Sequence, residues 1–365
     1  VHYGPAPCSC GRNATCEATP GGNAAYDAMF TRAGVAGWAG VRSRIAAFSF
    51  HINSWISLEE DLRGKRCRYL SDGTLRAAAA LLRDSGADVA VEVGGLRPFR
   101  NCSSPKMWAK AGKRQLRAEL PKFARWSRLG GSVEHIWLDS PVSKMMAGGQ
   151  RGNCGMSLEA VADQLAVYIR RVRAKNPGVQ VALIEPVPWY TVRADGGKGL
   201  AYPSFSPEDN DYGDFERILS KVAGLLRSQG AGLDAIIADA PYDFNEKAPS
   251  PEDSWPDPLA GWMKLKAVSE FVRGKLKLGF GHIFNSDLGG KKSDTEFARR
   301  TMMEAQRVRE AGIALDVASV RSWYPYPSRF VPESSPGTFT HLVKEFFDEF
   351  DGPDGPEIHP MKLET

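Results

Sequence analysis

The chain has 365 residues, of which 42% are hydrophobic and 25% charged, with a formal net charge of +4. That is the composition of an ordinary globular protein working in water, long enough for one large α/β domain or two small ones. Its apolar stretches are strand-sized and interrupted, well short of the roughly 20 residues that cross a bilayer. The mild positive charge comes with no helix-turn-helix, zinc-finger or RNA-binding signature, which speaks against a nucleic-acid partner.

In chain order, residues 1–43 differ from the rest and are expected to form a short arm. They hold Cys8, Cys10 and Cys16 in "CSCGRNATC", which lacks the paired C-x-x-C spacing of a zinc knot. Cys67, Cys102 and Cys154 follow, and two acceptor sequons stand at Asn13 and Asn101. An even cysteine count, sequons and a start on Val rather than Met together predict a secreted chain with disulfides.

From residue 44 onward, strand-like and helix-like segments alternate. "RIAAFSFHINSW" (44–55) precedes "DGTLRAAAALLRDSG", where Asp72 or Thr74 is a candidate cap and Gly86 a stop. "ADVAVEVGG" (87–95) leads into residues 106–128, which carry eight Lys or Arg against one Glu. That segment reads as a solvated helix face or as a guide for an anionic polymer. "VEHIWLDSP" (133–141) is followed by a helix capped by Ser157, then by "VQVALIEPVPW" (179–189). "LDAIIADAPYD" (233–243), "LKLGFGHIFN" (276–285) and "IALDVASVRSWYPYP" (313–327) complete seven strand-like runs with helical segments between them. Strands apolar on both faces and separated by single helices predict a parallel sheet covered by helices. Seven units over about 300 residues predict an α/β fold of the (β/α)8 TIM-barrel type with one strand unlocated, spanning 44–350, with a tail at 351–365. No Gly-rich dinucleotide or P-loop motif follows any strand, so no nucleotide cofactor is expected.

Four of these strands end on an acid: Glu92, Asp139, Glu185 and Asp239. In a parallel barrel the carboxyl ends of the strands surround the mouth where chemistry is done. Pro141, Pro186 and Pro241 follow three of the acids within two residues and mark where each strand leaves the sheet. Strands stand roughly 4.8 Å apart, so Glu185 is expected between Asp139 and Asp239, with its proton held by two like charges. Glu185 is thereby the expected general acid, Asp139 or else Asp239 the base, and Glu92 a hydroxyl ligand or base. Aromatic residues follow the acids: Trp189, Tyr190, Tyr242, Trp323 and Tyr324. Such rings stack on the C–H face of a sugar, and His51, Asn53, His282 and Asn285 are candidate hydroxyl ligands beside them.

In layout, and in "LIEP" (183–186) and "SWYPYP" (322–327), the chain resembles the secreted (β/α)8-barrel glycoside hydrolases. The resemblance implies hydrolysis of a polysaccharide or oligosaccharide, without a cofactor, membrane or nucleic-acid partner. In many retaining enzymes of that type a Glu-Pro on strand four is the acid/base and a second Glu closes strand seven. Glu185-Pro186 matches the first, but the last strand offers only Asp316, early in its run. An inverting arrangement is therefore expected. Two other readings use the same acids: a divalent-metal site of enolase-like type, serving a lyase or isomerase, and a carbohydrate-binding barrel without catalysis.

Overall fold

The computed structural model describes residues 2–4, 22–56, 70–98, 102, 104–150, 153–193, 201–205, 211–247 and 257–350. Cys8, Cys10, Cys16 and Cys67, the sequon residues Asn13 and Asn101, and the tail 351–365 lie outside the described residues.

Ten strands run in chain order as β1 (His2–Gly4), β2 (Ala47–His51), β3 (Asp88–Val93), β4 (His135–Asp139), β5 (Gln180–Glu185), β6 (Val192–Arg193), β7 (Ala201–Tyr202), β8 (Ala235–Asp239), β9 (Gly279–Phe284) and β10 (Val317–Arg321). Eight of them close a barrel in the order β1-β2-β3-β4-β5-β8-β9-β10, with every neighbouring pair parallel. β6 and β7 form an antiparallel hairpin in the connection after β5.

The expected TIM barrel is present, and its missing strand is β1. The described part of the segment expected as an arm, 2–4 and 22–43, is instead part of the barrel and its shell. His2–Gly4 pairs with β10 on one side and β2 on the other, so the barrel begins at residue 2 rather than 44. The short helices Gly22–Ala28, Arg32–Ala36 and Ala39–Arg42 belong to its outer shell, where Tyr26, Met29 and Trp38 are fully buried. A three-residue strand carries no periodicity that a sequence reading can detect.

Helix ends follow local chemistry. Ser71 Oγ accepts from the Thr74 N–H and so caps the helix Asp72–Ser85, taking the place expected for Asp72 or Thr74. Gly86 closes that helix at φ 69°, a left-handed conformation suited to glycine. Ser157 caps the helix Leu158–Arg173 through the Ala160 N–H, as expected.

Side chains alternate between the two faces of each strand. The inner face of the barrel is packed by Ala90, Trp137, Ala182, Ile184, Ala235, Ile237, Ile283 and Val317, while Phe48, Phe50, Leu183, Phe280 and Phe284 join the much larger layer between strands and helices. Every further residue on a strand can be assigned to one face by counting from these. The Cys102–Cys154 disulfide joins the connection after β3 to the connection after β4. Among the described residues, no helix is long and apolar enough to cross a membrane.

On the helix Ala111–Arg128, Lys122 and Arg125 are buried, with Lys122 Nζ donating to Asn53 Oδ1 and Arg125 pairing with Asp72. The other basic residues of the segment, Lys106, Lys110, Lys113, Arg114, Arg117 and Arg128, are exposed. Lys110, Lys113, Arg114 and Arg117 recur at three- and four-residue spacing and so share one outward side of this helix, whereas Lys106 lies on the separate helix Pro105–Trp108.

Candidate active site

A tilted parallel barrel advances by one residue per strand around each inward layer, so a layer takes its side chains from alternate strands. Following the observed register from His51 through Val93 leads to Asp139, through Glu185 to Asp239, and through Phe284 to Arg321. His51, Asp139, Asp239 and Arg321 therefore make up one layer at the mouth, contributed by β2, β4, β8 and β10. Glu92, two residues beyond Ala90, also faces inward from β3.

Glu185 does not join them. It follows the inward Ile184 by one residue, so it points to the opposite face, and it has no solvent exposure. Its Oε1 accepts from the Val142 N–H at 3.1 Å and its Oε2 from the Tyr190 hydroxyl at 2.8 Å. Burial raises its pKa to about 7, with the hydrogen bonds of Tyr190 and Val142 acting the other way. The expected elevation is present, but its cause is desolvation behind the sheet rather than repulsion by flanking aspartates. The expectation that Glu185 is the general acid at the mouth is thus overturned by its facing.

Asp239 fits that description better. Burial raises its pKa to about 7, and the charges of Asp139 and Glu92 push the same way. Its Oδ1 is buried with no protein partner. In the same layer Asp139 goes in the other direction. Burial alone would raise its pKa, but the charge and hydrogen bond of Lys144, with help from Arg97 and His51, outweigh it and lower the value. Lys144 Nζ lies 2.6 Å from Asp139 Oδ2 and 3.0 Å from the Asp139 carbonyl oxygen, and Arg97 stands 3.7 Å from the same carboxylate. Two acids in one layer thus have their pKa values displaced in opposite directions.

Glu92 is occupied by Arg321, whose guanidinium meets it at 2.6 Å with both side chains almost wholly buried. That guanidinium also lies 5.5 Å from the Trp137 ring and 5.2 Å from the Trp323 ring, so it fills the barrel between the two indoles. Glu92 is thereby tied up in an ion pair and is not an open hydroxyl ligand. His51 Nε2 contacts Arg97 at 3.0 Å, and its Nδ1 accepts from the Asn53 N–H. Burial lowers the His51 pKa, which favours the neutral ring.

The other expected ligands divide by facing. Trp323 is half-buried against the inner cluster, and Asn285, two residues beyond Ile283, is fully buried with both side-chain polar atoms unpartnered. Trp189 is half-buried beyond β5, with its ring 5.0 Å from that of Phe244. Three candidates lie outside the mouth. Tyr190 packs against Tyr212 and Phe215, and Tyr242 directs its hydroxyl to Met303. His282 points outward to Glu304, at 3.0 Å, and burial lowers its pKa to about 3. Asn53 is engaged by Lys122. Tyr324 packs over Gly290, where a Cβ would stand 2.4 Å from the ring.

Counting from β1 moves the strand-four position of the resemblance onto β4, which ends on Asp139, and places Glu185 on the fifth strand. The strand-seven position falls on β9, which ends on Phe284 and Asn285 and carries no acid. Asp316 sits at the opposite end of the barrel, accepting from the Phe280 N–H and pairing with Arg273. Arg321, Lys144 and Arg97 escaped the sequence reading. An inward count along the last strand reaches Arg321 two residues before Trp323, but only once the facing of that strand is known.

No family model matches the chain, and no curated protein is similar to it. Several solved structures are similar in fold. The catalytic domain of a beta-amylase from Paenibacillus polymyxa is 9% identical with a TM-score of 0.49, covering 94% of this chain and 98% of its own. A beta-mannanase from the blue mussel Mytilus edulis is 11% identical with a TM-score of 0.42, covering 93% and 92%. A putative phosphonomutase from Burkholderia cenocepacia is 13% identical with a TM-score of 0.37, covering 80% and 84%.

Proposed function

We propose that the chain is a glycoside hydrolase in which Asp239 is the general acid and Asp139 the general base. One observation carries the reading: two carboxyl groups of one inward layer are driven apart in pKa, Asp239 up to about 7 and Asp139 below its ordinary value. A protonated carboxyl can give its proton to a leaving glycosidic oxygen, and an ionised one can take a proton from water. The half-buried indole of Trp323 offers a platform for a sugar ring beside them, and Asn285 offers unpaired amide groups to hydroxyls.

Inversion is the stereochemical course we favour. β4 and β8 are next-but-one neighbours, which at about 4.8 Å per strand separates their backbones by about 10 Å before both carboxyls lean inward. An inverting pair needs about 6.5–9.5 Å, enough room for a water. An anionic sugar is the substrate class that Arg97 favours, since its Nε is buried without a partner at the edge of the site. The Cys102–Cys154 disulfide supports action in an oxidising compartment outside the cytoplasm.

The metal-dependent reading is less well supported by the donors present. Among the described residues, no three His, Cys, Asp or Glu side chains stand close enough to hold an ion. Lys144 and Arg321 already meet the charge of Asp139 and Glu92. The experiment is a screen of neutral and acidic polysaccharides for new reducing ends, with the anomer released followed by proton NMR. New reducing ends that vanish in Asp239→Asn and Asp139→Asn support the reading, and first release of the inverted anomer supports the stereochemistry. Saccharide that binds but stays intact would point instead to a carbohydrate-binding barrel.

A further inference from the structure

Glu185 is the largest unexplained feature near the site: a carboxyl without solvent exposure, behind the sheet, at the end of the strand between those that carry Asp139 and Asp239. We propose that Glu185 is a positioning residue that holds the turn carrying Lys144 against Asp139. The inference rests on the assignment of Asp139 as base.

The contacts run in an unbroken series. β4 ends at Asp139, and the chain then turns through Ser140 into the short helix Pro141–Met145. Ser140 has φ 50°, in the left-handed region that disfavours residues with a side chain, so the turn must be held by its surroundings. Proline at 141 has no N–H to give, and the next N–H, of Val142, is donated to Glu185 Oε1. The Ser143 hydroxyl donates to the Ser140 carbonyl oxygen within the turn, and the Tyr190 hydroxyl holds the other oxygen of Glu185. Lys144 is the following residue, and its ammonium reaches back to both the carboxylate and the carbonyl oxygen of Asp139. Glu185 thus anchors one side of a helical turn whose other side delivers the cation.

The charged groups acting on Asp139 are Lys144 from its own turn, Arg97 from the loop after β3, His51 from β2 and Asp239 from β8, while Arg321 of the same layer is paired with Glu92. Only Lys144 is carried by the turn that Glu185 grips. Loosening the grip therefore weakens the Lys144 contact and leaves the other interactions in place.

The test is the pKa of Asp139, read by carbon-13 carboxyl NMR on the intact protein and assigned with Asp139→Asn. Glu185→Leu keeps roughly the same volume but removes both oxygens that hold the turn, and it should raise the Asp139 pKa by roughly half a unit. Lys144→Met should raise it by about one unit or more. Should Glu185→Leu fail to fold, Tyr190→Phe removes the hydroxyl that holds the other oxygen of Glu185 and should move the value in the same direction. An Asp139 pKa unchanged in the folded variant overturns the proposal, and so does one that fails to move in Lys144→Met. The acid limb of kcat/KM should shift together with the NMR value. If the NMR shift appears while Asp139→Asn hydrolyses polysaccharide at the full rate, the positioning role stands and the hydrolase reading fails.

Discussion

Asp139 and Asp239 occupy one inward layer of the barrel, on next-but-one strands, with Lys144 against the first and a buried, unpartnered oxygen on the second. The proposed roles, Asp239 as acid and Asp139 as base, rest on this asymmetry.

The rate should accordingly show a bell in pH. Catalysis needs Asp139 ionised, which holds above a pKa below its ordinary 3.8, and Asp239 protonated, which holds below about 7. Activity is therefore lost as pH rises through about 7, and the acid limb lies below the usual carboxylate range. Asp239→Asn should lower turnover on the polymer by about 10²–10⁴, with much less loss on substrates whose leaving group needs no proton. Asp139→Asn should show no such selective rescue. A kcat/KM profile with a flat alkaline side would remove Asp239 from the acid's role.

A second expectation concerns Glu92 and Arg321, whose buried ion pair fills the barrel between Trp137 and Trp323. Removing one partner leaves the other charge buried and unpaired. Glu92→Gln or Arg321→Met should each cost about 3–5 kcal/mol of folding stability, whatever their effect on binding. Urea unfolding of the two variants and of the double variant checks this, and the double variant should regain part of the loss.

The barrel was readable from the sequence because its helices announce themselves by period and caps, and its long strands by apolar runs. β1 was not readable, since "HYG" has neither length nor pattern. The acids at the strand ends were also visible, but not which way each one points. A strand buried on both faces alternates apolar with apolar, so "LIE" and "LD" look alike. Only the register shows that Asp139 follows the inward Trp137 by two residues, whereas Glu185 follows the inward Ile184 by one. The cations were hidden for a related reason. Lys144 and Arg97 come from connections, where no periodicity predicts what a side chain meets.

Trp323 should behave as a binding platform. Its ring is half-buried against the inner cluster and is stacked on Arg321, which holds it in place. Trp323→Ala should raise KM by roughly tenfold, in keeping with about 1–1.5 kcal/mol of aromatic stacking, while kcat changes little. Trp323→Phe should restore most of the affinity. Equal loss in kcat and kcat/KM would place the ring at the reacting bond instead.

The last expectation concerns the disulfide. Cys102 and Cys154 are 52 residues apart and join the connection that carries Arg97 to the one that carries Lys144. Both cations bear on Asp139, so the bridge joins the two loops that hold its carboxylate. Closing a loop of that length stabilises the native state by about 2–4 kcal/mol, chiefly through the unfolded chain. Reduction, or Cys154→Ser with Cys102→Ser, should therefore lower Tm by several degrees at this chain length. It should also raise the acid limb of the rate profile, because looser loops hold Lys144 and Arg97 less firmly. The two readouts separate the roles. A lowered Tm with an unmoved acid limb would make the bridge a staple of the fold alone, whereas movement of both would tie it to the charge state of Asp139.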